Sequence, residues 1–222
     1  MLNGTVDGLI LSLSKQTQDL KLFNHFKEIE KRQFPLVMFD RISSEVSCDK
    51  VTINDFNAGY NATNHLINTK CSNITFLSTI SQTSVSESRK KGYCKALLDN
   101  NYNNPHIINI PNYEDFEVIL ADNLKKDKID GILAADQFSA VCAMNIIQKN
   151  GLKVPEDVSV IGFTDSLLAK HTLPSLTTVS QNSEEMGKIA IKTLIDRIEA
   201  KNNYEQKHQV IDTELIIRNS TR

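Results

Sequence analysis

Short apolar runs alternate along this chain with amphipathic segments of helical period, and that alternation limits the folds open to it. Val6–Leu13, Leu36–Phe39, Ile74–Leu77, His106–Ile110, Ile129–Ala134 and Val158–Phe163 read as strands. The segments between them predict helices over Asp19–Lys31, Asp55–Asn68, Glu87–Asn100, about 116–124 and Gln137–Lys149. In the first of these, Leu22, Phe26 and Ile29 fall on one face; in the second, Phe56, Tyr60, Thr63 and Ile67 do. Strand and helix in strict succession predict parallel sheet covered by helices, an α/β fold. After residue 165 the pattern breaks. Leu173–Val179 reads as extended, Ser183–Ala200 as a long helix, Lys201–Lys207 as a polar loop, and Gln209–Ile211 and Glu214–Ile217 as short strands.

Parallel sheets of this kind put ligands at the carboxyl ends of their strands. The positions to watch are therefore Asp40-Arg41, Ser78–Ser88, Asn109–Tyr113, Asp136 and Phe163–Asp165.

Composition narrows the function. With 25 Lys and Arg against 27 Asp and Glu, the 222 residues carry a net charge of −2, unlike a free-standing duplex-binding module. No apolar run approaches the roughly 18 residues of a membrane span. The first ten residues lack the basic start of an export signal, so the chain is expected in the cytoplasm with reduced thiols. The four cysteines, Cys48, Cys71, Cys94 and Cys142, form no CxxC pair, and Cys94 and Cys142 read as small core residues. The five histidines have no metal-ligand spacing. No GxSxG, Walker A, GxGxxG or HExxH occurs, and the serine-rich loop after Leu77 has no local base, so no catalytic residue, metal or cofactor is expected.

Gly151–Ser166 (GLKVPEDVSVIGFTDS), Leu173–Gln181 (LPSLTTVSQ) and Thr213–Thr221 (TELIIRNST) closely resemble the C-terminal signature of LacI/GalR-family transcriptional regulators. Val6–Leu11, Pro35–Arg41 and Ser88–Leu97 match the same family in the same order. The resemblance implies a two-lobed, type I periplasmic-binding-protein-like fold, with residues 1–52 and 178–203 in one lobe and 53–177 and 204–222 in the other. It implies that an effector, a sugar or a sugar-like molecule, binds in the cleft between lobes, and that the protein is a homodimer. Family members carry a helix-turn-helix headpiece and two βα units before the segment like VDGLIL. The chain is expected to lack these, leaving the first lobe incomplete and operator DNA contacted only through a headpiece absent from it. The rival reading is a periplasmic-type small-solute binding protein of the same architecture.

By resemblance, the effector residues are Asp40, Arg89, Tyr113, Asp136, Phe163 and Thr164. Arg89 follows the polar loop 78–88 at a helix start, where its fork of donors suits hydroxyls or a carboxylate. Asp40 ends the strand LVMF and reads as a ligand contact or a loop cap. Tyr113 reads as a stacking platform or as packing, and Phe163 as core or cleft wall. Asp136 stands where a helix N-cap is needed, which is its other reading. Two positions depart from the family: Thr164 replaces the usual aspartate of G-F/Y-D-D, and Ala135 the usual asparagine of A-N-D. Both losses remove polar anchors from a sugar pocket.

Overall fold

The computed structural model describes residues 6–200 and 205–222, so the expected leader-free start and the loop at 201–207 fall partly outside the described residues. In chain order the elements begin with β1 (Leu9–Leu11), α1 (Lys15–Asp19), α2 (Asn24–Lys31), β2 (Leu36–Phe39), β3 (Asp49–Ile53), α3 (Asp55–Asn68), β4 (Ile74–Ser78), α4 (Ser84–Asp99) and β5 (His106–Asn109). After a 3₁₀ turn at Tyr113–Asp115 come α5 (Phe116–Lys126), β6 (Gly131–Ala134), α6 (Gln137–Lys149), β7 (Ser159–Phe163), α7 (Leu167–His171), β8 (Thr177–Ser180), α8 (Ser183–Glu199), β9 (His208–Ile211) and β10 (Glu214–Ile216).

The chain divides into two compact units: the first takes in the chain to Asn54, Gln82–Val85 and Asn182 to Asp212, the second Asp55–Ser81, Ser86–Gln181 and Thr213–Arg222. In the first, β1, β2, β3 and β9 form a parallel sheet in that order. Successive strand side chains point to opposite faces, and β2 divides its residues accordingly. Val37 packs with Val51, Ile53 and the α8 residues Met186 and Ala190. Leu36 and Met38 pack with Phe23, Phe26, Val46 and Cys48.

The second unit carries a six-stranded sheet in the order β10-β8-β7-β6-β4-β5, parallel except for the β10–β8 pair. The segments centred on Ile74–Leu77, Ile129–Ala134 and Val158–Phe163 thus run side by side as β4, β6 and β7. Their largely apolar character reflects cores on both faces. Leu77, Ile132, Ala134 and Val160 join Leu120, Ala143 and Ile147 of α5 and α6. Phe76, Leu133, Ile161 and Phe163 join Ala62, Leu66 and Leu97 of α3 and α4. On this second face α3 and α4 touch backbone to backbone: a Cβ on Gly59 would lie 2.2 Å from the Arg89 carbonyl oxygen, and one on Gly92 2.1 Å from that of Phe56. Only glycine permits such an approach. Buried Tyr93 ties the strand starts, its hydroxyl donating to the Ile74 carbonyl at 2.9 Å and accepting from the His106 amide at 3.0 Å.

The last residues stitch β7 to β8. Ser220 Oγ donates to the Val160 carbonyl at 2.6 Å and accepts from the Thr177 amide at 2.8 Å. Arg218 reaches the Leu176 carbonyl at 2.8 Å and the Asp165 carboxylate.

Several sequence expectations need correction. The helix expected over Asp19–Lys31 starts only at Asn24; Asp19 instead ends the separate short helix α1, and Lys21 between them has φ 51°. Strand β3 and helix α7 were not foreseen; β3 opens with Asp49 and Lys50, which mask its apolar half. The expected division at residues 178 and 204 does not hold. β8 pairs with β7 at Ile161–Thr177, and β9 pairs with β3 at Lys50–His208, so each strand falls in the other unit from the one expected. Cys94 and Cys142 are half-buried at the margins of the cores, whereas Cys48 and Cys71 are buried.

Candidate functional site

Five of the six expected residues, Arg89, Tyr113, Asp136, Phe163 and Thr164, lie in the second unit, on α4 or at the carboxyl ends of β5, β6 and β7. The centre of this group is Arg89. Its side chain is 3% exposed. Nε donates to Asp55 Oδ1 at 2.7 Å, and Nη1 donates to the Ala135 carbonyl at 2.7 Å. The guanidinium carbon stands 3.8 Å from the centre of the Phe163 ring. Three contacts from α3, β6 and β7 therefore immobilise the fork. Its remaining nitrogen, Nη2, is buried and has no hydrogen-bond partner. Buried polar groups are nearly always paired, and leaving a donor unpaired costs about 1–3 kcal/mol. A cation held by three neighbours with one donor unanswered has the geometry of a group kept for an incoming acceptor.

Phe163 is fully buried in the core: it closes β7 and offers its face to Arg89. Asp136 is the N-cap of α6, Oδ1 accepting from the Ser139 amide at 2.9 Å. Oδ2 accepts from Ser139 Oγ at 2.6 Å and Thr79 Oγ1 at 3.2 Å. The Tyr113 hydroxyl lies 3.3 Å from Thr79 Oγ1, and its ring meets Phe138 edge-on at 4.6 Å between centres. Both rings are about half exposed, so they form an aromatic ledge over the capped end of α6.

Thr164 has φ 80°, a conformation a β-branched residue adopts only under strain. Its amide bonds the Val179 carbonyl at 2.9 Å, and its hydroxyl donates to Gln181 Oε1 just past the end of β8. The sixth residue, Asp40, belongs to the first unit. It ends β2 with φ 56°, its amide bonds the Val51 carbonyl at 3.0 Å, and its carboxylate lies 3.6 Å from Arg41 Nε.

Asp55, Phe138, Ser139 and Gln181 were not foreseen, and Thr79 only as part of the loop Ser78–Ser88. Asp55 opens α3 and reads in the sequence as an ordinary first-turn acid. A buried arginine needs an acid, but choosing this one among 27 acidic residues requires the crossing of α3 and α4. Among the described residues, no group of three or more His, Cys, Asp or Glu is placed to hold a metal, and no helix is long and apolar enough to cross a membrane.

Residues 63–221 match the periplasmic binding protein-like domain. The chain belongs to that family. The repressor PurR of Vibrio campbellii is 31% identical to this periplasmic binding protein-like chain, over 98% of it and 65% of the relative. The ribose operon repressor of Haemophilus influenzae is also 31% identical, over 99% of this chain and 65% of the relative. The chain thus spans about 65% of the length of these curated relatives. Among solved structures, a complex of the transcriptional regulator CelR with cellobiose superposes with a TM-score of 0.84 at 26% identity, covering 98% of this chain and 67% of that one. A putative transcriptional regulator of the LacI family from Sanguibacter keddieii superposes with a TM-score of 0.76 at 26% identity, covering 84% of this chain and 72% of that one.

Proposed function

We propose that this chain is the effector-sensing core of a LacI-type transcription regulator, and that Arg89 is the principal polar contact to the effector. The observation that carries the reading is the unpaired, buried Arg89 Nη2 beside two donors already fixed by Asp55 and Ala135. The reading assigns recognition rather than catalysis, in keeping with relatives named as repressors. The ribose operon named in one relative and the cellobiose bound to another support a sugar-like effector. Tyr113 and Phe138 supply an apolar ledge for a ring face, and Phe163 backs the guanidinium. Asp136 and Thr164 complete the assignment in this unit as secondary contacts.

A regulator of this type works as a homodimer in the cytoplasm, its effector binding one conformational state better than another and so biasing DNA affinity. The net charge of −2 makes the chain a poor duplex reader, so operator contact is assigned to a helix-turn-helix of the kind named in the relative.

The test is calorimetry with sugars, sugar phosphates and nucleobases. Arg89→Ala should weaken the bound compound roughly ten- to a hundredfold, the worth of a charged hydrogen bond. Arg89→Lys should recover only part, lacking the planar fork. Circular dichroism melts verify folding of both variants. Unchanged affinity in a folded Arg89→Ala protein would overturn the assignment.

A further inference from the structure

The polar groups at the carboxyl ends of the second sheet are unevenly engaged. Three carboxylates there already accept from this chain's own donors: Asp136 from Ser139 and Thr79, Asp55 from Arg89, and Asp165 from Arg218. The Ala135 carbonyl accepts from Arg89 Nη1. What remains is on the donor side. Arg89 Nη2 has two N–H groups and no partner. Gln181 is the second case. Thr164 donates its hydroxyl to Gln181 Oε1, which fixes the amide with its oxygen toward Thr164 and its Nε2 donors turned away. A carboxylate at 164 would attract Nε2 and turn the oxygen outward instead. Thr164 therefore acts twice: it offers no carboxylate itself, and it leaves Gln181 presenting its donors.

From this we infer that the effector offers an anionic acceptor head, a carboxylate or a phosphate, to Arg89 Nη2 and Gln181 Nε2, and that Thr164 sets this preference over a neutral polyol. Charge-assisted bonds to an acceptor-only oxygen suit these donors, whereas a neutral diol gives the guanidinium no anionic acceptor. The inference rests on the proposed effector site and adds the charge of its ligand.

Four probes separate the outcomes in calorimetry with the intact protein: D-ribose, cellobiose, ribose 5-phosphate and gluconate. Ribose 5-phosphate or gluconate should bind at least about tenfold more tightly than either neutral sugar. Which anion wins distinguishes phosphate from carboxylate. Thr164→Asp should reverse the order, weakening the anion tenfold or more and strengthening the neutral sugars. Aspartate tolerates a positive φ better than threonine, so this variant should melt no lower than the parent. Gln181→Glu should likewise weaken the anion tenfold or more. Neutral sugars binding as tightly as the anions, or a Thr164→Asp protein with the parent's preference, would overturn the inference. If a neutral sugar alone binds and Arg89→Ala abolishes its binding, the effector-site reading stands and this one fails. Binding of no probe overturns both.

Discussion

Asp55 and Arg89 form a buried ion pair whose side chains are 8% and 3% exposed, with 2.7 Å between Oδ1 and Nε. Replacing Asp55 with alanine leaves the guanidinium without its counter-charge in a place it cannot leave, because the Ala135 carbonyl and the Phe163 ring still hold it. Breaking one side of a buried pair typically costs about 3–5 kcal/mol. Asp55→Ala should therefore lose about 3 kcal/mol, a large part of the roughly 5–15 kcal/mol available to most domains. Removing both charges while keeping volume, in Asp55→Leu with Arg89→Met, should recover to within about 1 kcal/mol of the parent, since the desolvation penalty disappears with the pair. Urea unfolding followed by tyrosine fluorescence suits the question. The chain has no tryptophan, and Tyr60, Tyr93, Tyr102 and Tyr113 all lie in the unit that holds the pair. A loss below about 1 kcal/mol for Asp55→Ala, or a double variant no better than the sum of its singles, would refute the reasoning.

Gly92→Ala should destabilise by about 1–3 kcal/mol or more, measured by the same unfolding curves, because its new Cβ meets the Phe56 carbonyl at 2.1 Å and backbone cannot rotate aside. Asp136→Ala removes the cap of α6 and the acceptor for Thr79 and Ser139, so a loss of about 1 kcal/mol is expected, seen as a thermal midpoint lower by roughly 2–4 °C. Burial lowers the pKa of His65, whose Nε2 lies 3.1 Å from Thr221 Oγ1. The unfolded chain then binds a proton more readily than the folded one, so stability is complete above the ordinary value of 6.5 and declines as pH falls below it. Melting midpoints taken between about pH 7.5 and 5.5 should fall, and His65→Gln should flatten that slope.

Much of the second unit is readable from sequence because β4, β6 and β7 are mostly apolar and buried on both faces, and a short, mostly apolar run between turn signals has few other uses. The first unit is harder. Strand β3 opens with Asp49 and Lys50, and only its pairing with β2 and β9 makes it a strand. The assignment of β8 and β9 to units depends on which edge each finds, and that is settled by pairing at long range. The site divides in the same way. Arg89 is legible as a family position, yet what makes it notable is the burial of its whole side chain against Asp55, 34 residues earlier, and Ala135, 46 residues later. Asp136 and Phe163 each had two readings, and the structure shows the capping one for Asp136 and the packing one for Phe163, without testing contact with an effector.

A structure of the protein with its effector bound tests the central claim most directly, through the distance from Arg89 Nη2 to the nearest ligand oxygen. The account predicts an acceptor within roughly 2.7–3.0 Å, as in charge-assisted hydrogen bonds, with the Asp55 and Ala135 bonds unchanged. An effector bound while Nη2 remains unpaired, or bound away from the carboxyl ends of β6 and β7, would contradict it.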